Sequence, residues 1–199
     1  MLRRHGTRLG AALLAVLLAS VLYGCAPGGA AVGDTRDRSN AVTHDSIDTG
    51  DIMIGFVGSA HRASDVALLD AINAAGLKAA YCPTTTGETH SGGIGSVVDQ
   101  CVRDFAVRAV NIIVTNSIDA AAHGGRDWNQ ALETARGDGI PVVLVDPVSR
   151  PGNPLLYAAV LVSRSGSSRG DAVPLSTALL AVVNDNPHER SMTVSFATR

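Results

Sequence analysis

Three short polar stretches, each directly after an apolar run of strand length, carry the side chains of this chain best placed to do chemistry. They are Ser59-Ala60-His61-Arg62 with Asp65, then Thr115-Asn116-Ser117 with Asp119, then Asp146. Asp146 can accept hydroxyl hydrogens, Arg62 can donate several bonds, and Asn116 can do both. Ser59, His61, Arg62, Asp65, Asn116, Asp119 and Asp146 therefore suit the non-covalent holding of a small hydroxyl-rich solute. Each has a plainer reading beside this one. Asp146 can close a turn before Pro147, and Ser117 or Asp119 can cap a helix.

No catalytic assembly accompanies them. Gly55-Phe56-Val57-Gly58 lacks the third glycine and the later acidic residue of a dinucleotide fingerprint. Gly92-Gly93-Ile94-Gly95 has no following Lys, so it is a poor phosphate loop, and Ser91 and Ser96 lack the flanks of a nucleophile elbow. The six histidines (His5, His44, His61, His90, His123, His188) share no metal-ligand spacing and read as solvated side chains. The stretch Gly87 to Gly95 reads as a surface loop, with a mobile lid as the alternative. No cofactor and no enzyme activity are expected.

Elements that would position the polar groups follow a regular rhythm from Asp51. Ile52–Val57, Leu77–Cys82, Ala109–Val114, Ile140–Val145 and Tyr157–Val162 are continuous apolar runs of strand length. Between them lie helical stretches: Ala63–Ala75 with Val66, Leu69, Ile72 and Asn73 on one face, Ile94–Val107 with Val97, Val98, Cys101, Val102 and Phe105, and Arg126–Arg136. Strands apolar on both faces, alternating with amphipathic helices, predict an α/β fold: a doubly wound parallel sheet in three αβα layers with right-handed crossovers. Ligands of such sheets bind beyond the carboxyl ends of the strands, where the polar stretches fall.

Residues 1–25 read as a targeting segment. Arg3, Arg4 and Arg8 precede the apolar run Leu9–Tyr23, about 15 residues against the roughly 20 that a spanning helix needs. The run ends at Leu22-Tyr23-Gly24-Cys25, which resembles a bacterial lipobox with Cys25 as the lipidated residue; an ordinary signal peptide or an uncleaved anchor are the alternatives. Every version exports the chain, and the expected location is the outer side of the cell membrane, lipid-anchored. Residues 26–50, rich in Gly, Asp, Ser, Thr and Arg, read as a flexible tether. In an oxidising compartment Cys82 and Cys101 are expected to pair, closing a loop worth about 3 kcal/mol, with two buried free thiols as the alternative.

At 199 residues and 46% apolar content the chain has room for one packed domain. Its formal charge is −2, and without residues 1–25 the balance is 13 basic to 18 acidic residues. That excludes polybasic binding of nucleic acid or membrane. With one Trp, three Tyr and three Phe, the core must be built from Ala, Val, Leu and Ile.

Residues 52–162 resemble the first lobe of the type I periplasmic binding proteins that serve sugar ABC transporters. The resemblance is carried by Ile54–Gly58 (IGFVG), by Val97–Val114 and above all by Val110–Asp146, with Trp128, Leu132, Ala135, Gly139, Ile140, Pro141 and Asp146 at family positions. It implies residues 51–163 as a periplasmic-binding-protein-like lobe, and residues 164–199 as the crossover helix (Val173–Asn184) and strand (Met192–Ala197) of an incomplete second lobe. It implies a sugar as solute, an ABC permease as partner and, for a single lobe, pairing into a homodimer that completes the clamp. Two departures favour other readings. Pro147 stands where the family commonly has the Arg that clamps the sugar, and Ser59–Ser64 has no aromatic to stack on it. A non-transport scaffold or interaction lipoprotein, or a truncated remnant, would tolerate both.

Overall fold

The computed structural model describes residues 47–84, 93–121, 126–164 and 172–196. Its strands are β1 (Met53–Val57), β2 (Lys78–Cys82), β3 (Ile112–Asn116), β4 (Val142–Val145), β5 (Ala159–Ser163), β6 (Val173–Pro174) and β7 (Ser191–Ser195). Its helices are α1 (Arg62–Ala74), α2 (Gly93–Val107), α3 (Arg126–Gly137) and α4 (Leu175–Val183). All seven strands are parallel in one sheet, ordered β2-β1-β3-β4-β5-β7-β6. Cys25 and the lid alternative at residues 87–92 lie outside the described residues. Among those described, no helix is long and apolar enough to cross a membrane.

Alternation along the strands builds two cores, one on each face. Ile54 and Phe56, Ile112 and Val114, Val143 and Val145 meet α1 and α4; Val57, Ile113, Val142, Leu144 and Val160 meet α2 and α3. This is the three-layer arrangement expected from strands apolar on both faces. The second face is close-packed at Gly55, where an added Cβ would stand 2.5 Å from the Phe105 ring. Gly76 (φ 76°) ends α1 and Gly139 (φ 73°) leads into β4, both in the left-handed region that suits glycine after a helix.

Two expectations change. The inner face of α1 is Asp65, Leu68, Ala71 and Ile72, so Val66 is turned outward and stands 48% exposed. A buried carboxylate occupies a core position there, and a reading by hydrophobic period cannot see it. The segment expected to open a second lobe instead completes the first sheet. Leu175, Ala178, Leu179 and Val182 of α4 bury against the core shared with α1, and β7 pairs along the free edge of β5, with Leu161 opposite Met192. A new strand is stabilised most directly by an edge already waiting for it. Two smaller differences accompany these. The end of the tether is tied down, the Ile47 amide donating to Asn184 Oδ1 at 3.0 Å. His188 is buried, with Nδ1 2.8 Å from the Asn186 carbonyl.

Lys78 stands on the outermost strand β2 and Pro174 in the opposite edge strand β6, both residues that discourage further strand addition. The Cys82–Cys101 disulfide joins the end of β2 to α2.

Candidate functional site

Strand order reverses between β1 and β3, since the chain leaves β1 for β2 on one side and returns to β3 on the other. The crevice of such a sheet opens at the carboxyl ends of these two strands. Here Ser59, from the end of β1, Asn116, from the end of β3, and Asp65, from the first turn of α1, come together. Asp65 is 1% exposed. Its Oδ1 accepts from the Ser59 amide (3.0 Å), Ser59 Oγ (2.8 Å) and Asn116 Nδ2 (2.8 Å). Its Oδ2 accepts from the Ser59 amide (2.9 Å) and Tyr81 Oη (2.9 Å). A buried carboxylate tolerates its desolvation only when met by donors in this way. Asn116 also donates to Ser64 Oγ at 3.0 Å and accepts from Ser117 Oγ at 3.2 Å. On the β2 side, Thr84 Oγ1 donates to the Gly58 carbonyl at 3.0 Å.

Further along the edge the strand ends are tied in the same manner. Asp119 accepts from Ser149 Oγ and from the Ala121 amide (3.2 Å), linking the loop after β3 to that after β4. Asp146 accepts from the Ser163 amide at 2.8 Å and from Ser163 Oγ, linking β4 to β5. Ser117 (φ 49°) and Asp146 (φ 43°), the residues directly after β3 and β4, both hold left-handed backbone without being glycine. Such conformations persist where surrounding bonds over-determine them, as the Ser117 amide to Val145 carbonyl (2.8 Å) and Asp146 amide to Leu161 carbonyl (2.9 Å) bonds do here.

Of the seven residues singled out from sequence, Ser59, Asp65 and Asn116 meet in one hydrogen-bonded cluster. His61 and Arg62 stand exposed at the start of α1, beside it. Asp119 bonds to Ser149 and Ala121, and Asp146 to Ser163, further along the same edge. The four lone-pair sites of Asp65 are filled, so its oxygens have no capacity left for a ligand. Asp146, half-buried with two donors, retains acceptor capacity.

Tyr81 is the residue that sequence reasoning missed. It pairs in register with Phe56 across β1 and β2, with ring centroids 5.3 Å apart and planes tilted by 43°. Register was the available signal, because the parallel pairing of the first two runs brings an aromatic of the second beside the end of the first. Burial pushes its phenol up to about 12; the bond to Asp65 and that residue's negative charge add to the rise, and the Arg62 charge opposes it. Arg62, Asp65, Val66, Leu69, Tyr81 and Pro83 line a cavity of about 410 Å³ on the flank made by α1 and β2. A second, of about 480 Å³, lies at the opposite, amino-terminal end of the sheet between Ala106, Asn111 and Asp138.

No protein-family model matches the chain, and neither does any curated protein. Solved structures similar to the chain include the following two. One is a Mycobacterium smegmatis protein in complex with β-D-fucofuranose, at 18% identity and a TM-score of 0.42, the match covering 56% of this chain and 34% of that one. The other is the periplasmic binding protein component of the arabinose ABC transporter from Shewanella sp. ANA-3, bound to α- and β-L-arabinofuranose. It matches at 18% identity and a TM-score of 0.41, over 73% of this chain and 55% of that one. The chain thus spans about a third of the first and about half of the second.

Proposed function

We propose that the chain is an exported, lipid-anchored solute-binding lobe that holds a sugar non-covalently at the carboxyl edge of its sheet, as partner to an ABC permease. The observation carrying this reading is the edge itself: side-chain bonds tie β1 to β3 and β4 to β5, and the loops after β3 and β4 to each other, leaving Arg62 and His61 outward beside them. A rigid edge with donors and acceptors already in place binds without spending its affinity on ordering loops. No bond is made or broken. In this reading Cys25 carries the lipid, and the tether expected over residues 26–50 joins it to the lobe.

The test is a thermal melt of the full chain, in mild detergent, with millimolar pentoses and hexoses, arabinose and fucose first because the two similar structures hold those sugars. A ligand that binds only the folded state stabilises it by about 2.7 kcal/mol at a hundredfold excess over its dissociation constant. A raised midpoint with one sugar class supports the reading; an unmoved midpoint with all of them defeats it. Cys25→Ser tests the anchor separately, by release of the chain from the membrane fraction.

A second reading, a scaffold or interaction lipoprotein without ligand, is favoured by one observation. Asp65, Asn116, Asp119 and Asp146 all bond to other residues of the chain, so the edge is held together without a solute. Under this reading every sugar leaves the melt where it was.

A further inference from the structure

We infer that the ligand-holding surface is the cavity between α1 and β2, and that its ligand is a ring bearing a carboxylate, a sugar acid of the uronate type. The inference rests on the solute-binding reading above and narrows its ligand class. It places the ligand on the opposite side of the Asp65 cluster from Asp119 and Asp146, beside Tyr81.

The cavity's size, about 410 Å³, falls within the 300–1,000 Å³ common for small-molecule sites. Its walls are apolar where a ring would lie. Val66 is 48% exposed and Tyr81 40% exposed, with Leu69 half-buried and Pro83 exposed beside them. Exposed apolar side chains grouped around a concavity mark a binding surface more strongly than the same residues scattered singly. The Tyr81 ring is held in place, with Phe56 packed against it and its hydroxyl bonded to Asp65.

The polar side chains select the ligand's charge. Every lone pair of Asp65 is taken by Ser59, Asn116 and Tyr81, and the Tyr81 proton is committed to Asp65. The lining side chains therefore offer one acceptor site, the oxygen of Tyr81. Against it stands the Arg62 guanidinium, with five donors and no hydrogen bond or ion pair to another described residue. A neutral sugar brings hydroxyl protons that find few acceptors here. A carboxylate brings only acceptors, and two of its lone pairs match the guanidinium fork. The positive end of the α1 dipole lies at Arg62 and favours the same sign of ligand. The Asp65 carboxylate lines the same cavity, but it is 1% exposed and already met by four donor groups, so the charge that a ligand meets first is the exposed Arg62 guanidinium, and that favours an anionic ring.

The experiment is isothermal titration of the full chain with D-galacturonate and D-glucuronate against D-galactose and D-glucose, at low and at added salt. The expected result is at least tenfold tighter binding of one uronate than of its neutral parent, weakening with salt. Arg62→Gln should erase that preference. Arg62 is exposed, so the variant's circular dichroism should match the parent's. Tyr81→Leu should weaken uronate and neutral sugar together. Should a neutral sugar bind as tightly as its uronate, or Arg62→Gln leave the preference intact, this inference is overturned while the solute-binding reading stands. Silence from all four ligands, together with unmoved melts across the pentoses and hexoses, overturns both.

Discussion

Asp65→Ala is the substitution on which the account of the carboxyl edge depends most. Removing the carboxylate strips the acceptor from the Ser59 amide, Ser59 Oγ, Asn116 Nδ2 and Tyr81 Oη together. Tyr81 is 40% exposed and can turn to water, and Ser59 Oγ has the His61 carbonyl at 3.2 Å to fall back on. The Ser59 amide and the second Asn116 Nδ2 hydrogen, the first being given to Ser64 Oγ at 3.0 Å, belong to residues 5% and 3% exposed and have no such recourse. Two buried donors left unpaired cost about 1–3 kcal/mol each, and the lost bonds were charge-assisted. The sum is about 3–5 kcal/mol, or roughly 6–20 °C in Tm for a domain of this size. Urea unfolding of the full chain, followed by far-UV circular dichroism, measures it. Asp65→Asn serves as the companion, because its NH₂ must face one of the existing donors; it should lose most of the same stability despite its equal volume. In a double-mutant cycle, Asp65→Ala and Asn116→Ala should couple by about 1 kcal/mol or more. A loss below about 1 kcal/mol for Asp65→Ala, or a cycle additive within about 0.3 kcal/mol, would refute the claim that this cluster holds β1 to β3.

Tyr81 should ionise near pH 12 in the folded chain against 10.0 as its ordinary value, read from phenolate absorbance. Its folded form keeps the proton that the unfolded form sheds, so this contribution is fully present below pH 10 and falls away between pH 10 and 12; Tyr81→Phe should flatten that part of the stability profile. Replacing both Cys82 and Cys101 by Ser should cost about 3 kcal/mol for a loop spanning 19 residues, and reduced wild-type chain should melt at the same point as the variant. Ala109 holds φ 52° after α2, a conformation costing an L-residue about 1–2 kcal/mol, against about 0.5–1 kcal/mol for the extra freedom of an unfolded glycine. Ala109→Gly should therefore raise the unfolding midpoint, and a lowered one would mean that the Ala109 methyl makes a contact worth more than the strain.

Strand content was readable because burial on both faces leaves a mark that needs no context. IMIGFV, AVNIIV and IPVVLV cannot be solvated on either side, so a covered parallel sheet follows from them directly. Helix α2 was equally plain, with Val98, Cys101, Val102 and Phe105 buried as their spacing predicts. Where the reading failed, the deciding interaction joined residues distant in sequence. Nothing local in SMTVS says that it will lie beside β5; the free edge of β5 decides it, through pairing from Val160–Ser191 to Ser163–Val194. Nothing local marks Asp65 as buried either. Its donors come from β1, β2 and β3, the last 51 residues away.

The misreading of α1 and the form of the flank cavity have one cause. Successive helical residues are turned by about 100°, so the inward direction of Asp65 sets where every other side chain of α1 points. With Asp65 facing the sheet, Leu68 and Ile72 follow it into the core, and Val66 and Leu69 are carried toward β2 and solvent. An apolar phase centred on Val66 and Leu69 would have closed the helix onto the sheet and left Asp65 in water. The four donor groups that meet the carboxylate offset its desolvation, which is what allows this phase of the helix. The same bonds that staple the strand ends thus rotate α1 far enough to open an apolar surface beside Tyr81 and Arg62.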